Sequence, residues 1–393
     1  MQFFLFFTVW ILILSTGYAY VGWRVISGAN LLGRQKLVAW LIVAVLLLFP
    51  QVPFAMLINK AEELWLDVWF WAGYMSLGLL ALIMITFALR DLTFLLIRLI
   101  GKVQKVISKK PEVVDVDRRR FLLHSTNLGL MAASGLLSGY GLFEAQSRTR
   151  IEDIPIPLPH LPQAFDGFRI VQFTDLHVGP TIKRAFVERV TRQVMDLKPD
   201  LIAFTGDLVD GSVSWLRDDV APLHELAAPY GKFFITGNHE YYSGANPWIE
   251  HADKLGFSVL LNSHRLIRRD GQEIVLAGVT DHSAGDFVPE QATNPAKAFD
   301  GAPPDAVRVL LAHQPRSVFE AEKTGFDVQL SGHTHGGQFF PWNYLATLNQ
   351  PYISGLHKRG NRFIYVNRGT GYWGPPLRLG IPSEITVVTL KKA

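Results

Sequence analysis

Residues 326–338 read FDVQLSGHTHGGQ, a stretch that sets a short apolar segment directly before two histidines flanked by glycines. Residues 328–330 predict a short strand, because a brief apolar run bounded by turn residues favours one. The glycines permit positive φ angles and let the backbone approach a ligand closely. Histidines two positions apart at a strand end seldom have a packing reason, so His333 and His335 are predicted metal ligands.

The same arrangement recurs at four earlier points of the chain. The predicted strands are residues 168–173, 201–204, 233–236 and 307–311. The polar clusters that follow them are Thr174-Asp175-Leu176-His177, Thr205-Gly206-Asp207, Gly237-Asn238-His239-Glu240 and Ala312-His313-Gln314-Pro315. In open α/β sheets, ligand sites lie beyond the carboxyl ends of the strands, so we expect the five clusters to converge on one site.

The residue types in these clusters fit two metal ions. An Asp-x-His or Gly-Asp pair alone is common by chance, but five clusters in order, each ending a strand, favour a metal site. The candidate ligands are Asp175, His177, Asp207, Asn238, His313, His333 and His335. A carboxylate such as Asp207 can bridge two cations that lie about 3.5–4 Å apart. The chain has no cysteine, and oxygen and nitrogen donors alone suit Mn, Fe, Zn or Co equally.

The order of these clusters resembles the calcineurin-like metallophosphoesterase family, whose pattern is D-x-H, G-D, G-N-H-E, H and G-H-x-H. The resemblance extends from about Phe168 to Leu390, and every position of the pattern is filled. Residues 332–338, 367–371 and 381–385 resemble its bacterial membrane-anchored or exported subgroup, which includes YkuE and YaeI. The resemblance implies an α/β four-layer sandwich of two mixed β-sheets flanked by helices.

The resemblance also implies a role for each ligand. One metal would bind Asp175, His177, Asp207 and His335, and the second would bind Asp207, Asn238, His313 and His333. His239 would be catalytic rather than a ligand, and would stabilise the transition-state charge and protonate the leaving oxygen. Two cations lower the pKa of a bridging water, so that hydroxide attacks phosphorus in line. Arg368 and His282 are weaker candidates for substrate contacts.

Long apolar runs mark the N-terminal part of the chain as a membrane region. Residues 3–23, 37–58 and 66–89 are each long enough for a spanning helix, which needs about 20 apolar residues. Residues 121–143 form a weaker fourth segment, because it begins with polar residues and contains several glycines. We therefore expect three spanning helices and a basic loop in residues 1–117. The fourth segment and a proline-rich linker would occupy 118–165, and the phosphoesterase domain 166–393.

Charge in the loops predicts the orientation. Residues 90–120 hold the densest lysines and arginines of any loop, which places them in the cytoplasm, and a crossing by residues 121–143 would put the domain outside. Residues 118–122 also resemble a twin-arginine export signal, although the basic flank of an ordinary helix is favoured. Both interpretations send the domain outward. The several apolar segments predict a multi-pass membrane protein. The net charge of +4 is modest, so we expect no nucleic-acid partner.

The sequence thus predicts a membrane-anchored enzyme with two divalent metal ions that hydrolyses a phosphomonoester, phosphodiester or pyrophosphate of the cell envelope. A lipid-linked phosphate is a natural substrate for an anchored enzyme. One alternative is a cytoplasm-facing pyrophosphatase that acts on a nucleotide-linked lipid A precursor. Another is a non-catalytic metal- or phosphate-binding sensor, against which the retained His239 argues. Metal identity and oligomeric state stay open.

Overall fold

The computed structural model describes residues 2–29, 31–51, 66–107, 115–147 and 149–393. The chain divides into two compact units. The N-terminal unit ends at Gly141, and the C-terminal unit comprises Leu142–Ala393. Each unit has its own core, as expected for a chain of this length.

The N-terminal unit consists of helices. They are α1 (Gln2–Gly28), α2 (Gly33–Leu48), α3 (Asp67–Ile107) and α4 (Val116–Gln146), the last of which continues into the C-terminal unit. Among the described helices, two segments are long and apolar enough to cross a membrane, Thr8–Gly28 and Asp67–Gly101. These segments lie on the first and third predicted spans and confirm the apolar N-terminal helices. The second predicted span coincides in part with α2, and most of its remainder lies outside the described residues.

The predicted basic loop is partly wrong. Arg90 and Arg98 lie within α3, which continues unbroken to Ile107. The helix can accommodate these charges because Arg90 bonds to Asp91 and Asn127, while Asp91 also pairs with Arg24 and accepts a hydrogen bond of 2.6 Å from Tyr20. Charges that are paired between helices do not force the chain into a loop. The lysines at 109 and 110 lie outside the described residues.

The C-terminal unit contains two six-stranded sheets. The first has the order β1 (Arg150–Leu158), β12 (Glu384–Lys392), β2 (Arg169–Phe173), β3 (Leu201–Phe204), β4 (Lys232–Phe234) and β5 (Ser258–Val259). The second has the order β10 (Gly355–Arg359), β11 (Arg362–Val366), β9 (Val328–Ser331), β8 (Arg308–Leu311), β7 (Gln272–Gly278) and β6 (Ser263–Arg269). Strands β2, β3 and β4 are parallel, as are β7, β8 and β9, so their carboxyl ends lie together.

Helices cover the outer faces of both sheets. They are α5 (Arg184–Asp196), α6 (Val213–Val220), α8 (Ala245–Lys254), α9 (Pro295–Ala298) and α10 (Val318–Ala321), while α7 (Asn238–Ser243) and α11 (Trp342–Leu345) lie in loops. Successive strand residues point to opposite faces, so Ile170 packs between the sheets while Val171 packs under α5. A third core lies between the second sheet and α10. The layers are therefore helix, sheet, sheet and helix, which confirms the predicted four-layer sandwich.

The predicted linker is wrong over residues 150–158, because these residues form β1. The strand pairs in parallel with β12 along its whole length and buries Ile156 and Leu158 between the sheets. Its two internal prolines are tolerated because β1 is an edge strand, where proline needs no ladder hydrogen bond on one side. The C-terminal unit therefore begins before residue 166.

Candidate metal centre

The candidate ligands lie on turns that directly follow the strands. Asp175, His177, Asp207, His333 and His335 all have φ angles between 50° and 72°. Residues other than glycine seldom adopt this left-handed backbone conformation, which costs of order 1 kcal/mol or more per residue. Such strain persists only where surrounding contacts over-determine the backbone, and it is concentrated here at the carboxyl ends of β2, β3 and β9.

Glycine is required at two positions beside these turns. A Cβ atom at Gly237 would overlap the carboxylate of Asp207, and one at Gly332 would overlap that of Asp175. The absence of a side chain therefore lets the turns after β3 and β4, and those after β2 and β9, approach each other closely enough to place their donors together.

The first group of donors comprises Asp175, His177 and His335, all buried. His177 Nε2 lies 3.0 Å from His335 Nε2, and His335 Nε2 lies 3.6 Å from Asp175 Oδ1. The Asp175 carboxylate is held in place by the backbone N–H of His333, which lies 3.0 Å from both of its oxygens. Three donor atoms thus face one small space.

The second group comprises Asp207, His313 and His333. His313 Nε2 lies 3.1 Å from Asp207 Oδ2, and the same oxygen lies 3.7 Å from His177 Nε2 of the first group. Asp207 therefore stands between the two groups. His313 Nδ1 lies 2.7 Å from the carbonyl oxygen of Thr205, a contact that fixes the proton on Nδ1 and leaves the Nε2 lone pair for a metal.

One orphaned atom indicates that these residues suit a metal. Asn238 Oδ1 is buried and has no hydrogen-bond partner in the described structure, whereas His313 Nε2 faces the Asp207 carboxylate. A buried acceptor without a partner costs about 1–3 kcal/mol, a cost that a bound cation would remove. The neighbouring donors are all imidazole or carboxylate, which suit divalent transition metals.

Ionisation in the cluster follows from its burial and charge. Burial and the nearby positive charge of His313 lower the pKa of His333 to about 4, and burial also lowers the pKa of His335. Burial disfavours a charged His313, yet Asp207 and Asp175 raise the pKa of His313 well above its usual value. His333 and His335 are thus neutral, and binding of a metal at His313 would be coupled to proton release.

The predicted catalytic His239 lies beside the donors. Its backbone N–H donates to Asp207 Oδ1 at 2.9 Å, and its ring makes an edge contact with the ring of His177, with centroids 4.5 Å apart. Its Nδ1 lies 2.5 Å from Asp210 Oδ1. Against the effect of burial, Asp207 and Asp210 raise the pKa of His239 to about 9, so it carries a proton at neutral pH.

Sequence reasoning missed Asp210, which belongs to this site. Its Oδ1 lies 3.1 Å from His177 Nδ1 as well as 2.5 Å from His239 Nδ1, so one carboxylate orients both rings. Although burial opposes ionisation, the two histidines hold the pKa of Asp210 below its usual range. The sequence feature that could have indicated Asp210 is its position three residues after Asp207, in the segment that follows the same strand.

Glu240 also has a role that sequence reasoning did not assign. Its buried carboxylate accepts hydrogen bonds from the backbone N–H groups of Asp207, Leu208 and Gly237, at 2.6–3.0 Å. It thereby joins the turn after β3 to the start of α7. Burial and the nearby Asp207 raise the pKa of Glu240 to about 8.

Arg368 and His282 each lie near a carboxylate outside the ligand groups. The Arg368 guanidinium bonds to Glu152 and Glu384, so its charge is already compensated within the protein. His282 Nδ1 lies 3.8 Å from Glu320 on α10. The buried arginine nearest the donors is instead Arg378, whose Nη2 donates to the carbonyls of residues 368, 369 and 371 and lies 3.3 Å from His335 Nδ1.

Comparisons with known proteins identify the family of this chain. Residues 168–337 match the family described as calcineurin-like phosphoesterase. The chain is similar to a "transmembrane protein with metallophosphoesterase domain" of Danio rerio, 37% identical over 66% of this chain and 61% of that protein. It is also similar to an uncharacterized metallophosphoesterase of Helicobacter pylori, 36% identical over 70% of this chain and 72% of that protein. The metallophosphoesterase YkuE of Bacillus subtilis is 34% identical over 70% of this chain and 98% of its own length. The chain thus spans less than two thirds of the fish relative.

Proposed function

The chain belongs to the calcineurin-like metallophosphoesterase family, and from this premise we propose that it is a membrane-anchored enzyme that hydrolyses a phosphate ester at a centre of two divalent cations. The observation that carries the proposal is the position of Asp207 between two groups of potential metal ligands, together with the unpartnered Asn238 Oδ1. A carboxylate with a purely structural role would not need imidazole groups gathered on two sides of it.

Each ion would have its own ligands and share one. The first would be held by Asp175, His177, Asp207 and His335, and the second by Asp207, Asn238, His313 and His333. When bound, two such cations lower the pKa of a water molecule and neutralise the charge of phosphate oxygens.

Protonation of the leaving oxygen is assigned to His239, with Asp210 as its hydrogen-bond partner. A protonated His239 beside the ligand groups would donate its proton to the leaving oxygen of the ester, while Asp210 keeps the Nδ1 proton in place and directs Nε2 outward. A sensor that only binds phosphate has no use for this pair. The pair therefore supports an enzyme over the non-catalytic alternative.

We propose that the substrate is a phosphomonoester, phosphodiester or pyrophosphate of the cell envelope. The support is the tether, since two helices of the same chain are long and apolar enough to cross a membrane. The competing substrate, a nucleotide-linked lipid A precursor, requires a domain that faces the cytoplasm. The choice between them depends on which side of the membrane the C-terminal unit lies.

The test is hydrolysis by the full chain, purified in detergent, of p-nitrophenyl phosphate and bis-p-nitrophenyl phosphate. Metal content is measured in parallel by mass spectrometry. We expect activity to disappear on chelation and to return with Mn, Fe, Zn or Co. Hydrolysis that persists in metal-free protein would contradict the metal mechanism. Failure to hydrolyse either ester with two ions bound, together with tight phosphate binding, would favour the sensor instead.

A further inference from the structure

An uncharged, aromatic loop follows the last candidate ligands. No Asp, Glu, Lys or Arg occurs in residues 336–356. Within this segment, residues 338–348, here the apolar loop, expose large side chains that a soluble surface would normally avoid. These are Phe340 (48% exposed), Trp342 (50%), Tyr344 (65%), Leu345 (44%) and Leu348 (84%). Phe339 is buried and anchors the start of the loop, but neither α11 nor the turn that follows it has a buried residue.

The apolar loop is fixed to the edge of the candidate metal centre. The Gln338 side chain accepts from the Trp373 backbone N–H at 2.7 Å and donates to the Trp373 carbonyl at 3.0 Å. The Trp373 ring, 52% exposed, lies 5.6 Å from the ring of His239. An apolar surface therefore begins beside the candidate proton donor and continues onto the loop.

The chain enters the C-terminal unit next to this surface. Gln146, the last residue of α4, donates a hydrogen bond of 2.6 Å to the hydroxyl of Tyr372, the residue before Trp373. Ala145 is buried in the same core as Tyr372. The helix that leads in from the N-terminal unit thus ends at the segment that carries Trp373.

We propose that the apolar loop contacts the surface of the lipid bilayer to which the chain is anchored. Tryptophan, tyrosine and phenylalanine are residues that prefer the membrane interface. An uncharged loop has no ionised side chain that would have to be desolvated there. The bilayer is favoured over a protein partner because α4 ends at Tyr372, next to the Trp373 to which the loop is bonded, and because the loop offers no charge to select a partner. This inference does not depend on the proposed reaction.

The test uses the fact that the chain has no cysteine. A Leu348→Cys variant of the full chain is labelled with an environment-sensitive fluorophore and reconstituted into phosphatidylcholine vesicles with and without doxyl-labelled lipid. The matched control is Asp218→Cys, whose side chain is 92% exposed on α6. We expect a blue-shifted emission and at least about twofold quenching at position 348, since interfacial side chains lie within reach of acyl-chain quenchers, and no quenching at position 218.

Leu348 is 84% exposed, so its substitution should not disturb folding, and Trp342→Cys provides a second labelled position. Equal quenching at positions 348 and 218, or none at 348 and 342, would overturn the proposal. A blue shift at position 348 without quenching by doxyl lipid would assign the loop to a protein partner or a second copy of the chain, and would overturn it as well.

Discussion

Asp210 connects two histidines that are proposed to do different work. It lies within hydrogen-bond distance of His177, a candidate ligand, and of His239, the candidate proton donor. An ionised carboxylate at this point fixes the protonated nitrogen of each ring and so selects which nitrogen faces the centre. The same side chain would therefore orient both the proposed metal ligand and the proposed proton donor.

We predict that Asp210→Asn lowers kcat/KM for bis-p-nitrophenyl phosphate about 10- to 100-fold, the usual effect of losing a carboxylate that orients a ligand or catalytic histidine. The amide keeps the shape of the side chain but removes the charge that holds the His239 proton. The measurement is steady-state hydrolysis at saturating metal. Wild-type activity in Asp210→Asn would show that the contact with His239 has no catalytic role.

Substitutions of Asp207 and Asn238 should differ in the number of metal ions that the protein loses. Asp207 stands between both donor groups, whereas Asn238 is proposed to serve only the second ion. We therefore expect Asp207→Asn to lose both ions and Asn238→Ala to lose one, as counted by mass spectrometry of the dialysed protein. Two ions retained in Asp207→Asn would mean that the bridging ligand is misassigned.

Substitutions of His239 and His333 should distinguish loss of turnover from loss of bound metal. His239→Ala is expected to keep both ions yet lose turnover about a hundredfold or more, the scale for a lost proton donor or charge stabiliser. His333→Ala is expected to lose metal as well. The same two measurements, ion content and kcat, are made on both variants. Equal metal loss in the two variants would identify His239 as a ligand.

At the scale of elements, the segment that was predicted as a linker forms β1, the edge strand of the first sheet. Ile156 is fully buried between the sheets, whereas Ile151 on the same strand is 36% exposed. We predict that Ile156→Ala lowers the free energy of unfolding of the C-terminal unit by about 2–5 kcal/mol, through lost burial and an unfilled cavity. Ile151→Ala is the matched control, with a smaller expected effect. Denaturant unfolding of the full chain measures both, and equal effects would contradict the packing of β1.

The strands that carry the ligands could be predicted closely from the sequence, because each apolar run ends in glycine, aspartate or histidine. The prediction of residues 201–204 coincides with β3, and that of residues 328–330 differs from β9 by one residue. The strand β1 was missed because its prolines and acidic residues resemble a linker. Only its pairing with β12, more than two hundred residues later in the chain, makes it a strand.

The candidate site was predictable in part for the same reason. Its ligands follow strands that are parallel neighbours, so local sequence and sheet topology together bring them to one place. Asp210 and Arg378 were missed because their roles are contacts with histidines and carbonyls distant in sequence. The substrate contact of Arg368 stays a prediction, and the sequence did not reveal that Arg368 bonds to Glu152 and Glu384.

At the scale of the whole molecule, α4 has an unusual distribution of side chains. Asn127, Ser134 and Ser138 are buried, whereas Leu128 and Leu136 are exposed. The Asn127 side chain donates to the carbonyl of Arg24, and the Ser134 hydroxyl lies 3.2 Å from that of Thr86. Polar groups that face neighbouring helices while apolar groups face outward are typical of a helix in lipid. This pattern explains how α4 can enter a membrane although its average hydropathy is low.

We predict that α4 crosses the membrane and that the C-terminal unit lies outside the cytoplasm. The apolar part of α3 before Arg90 is about as long as the hydrocarbon core is thick, so the later part of α3 carries Arg90 and Arg98 to one side. Dense positive charge from Arg98 to Arg120 keeps that side cytoplasmic, and α4 is then the last segment that can return the chain. In a chain without cysteine, Asp218→Cys should react with a membrane-impermeant maleimide in intact spheroplasts. Reaction only after lysis would place the unit in the cytoplasm, where the nucleotide-linked lipid A precursor becomes the favoured substrate while the proposed metal ligands stay the same.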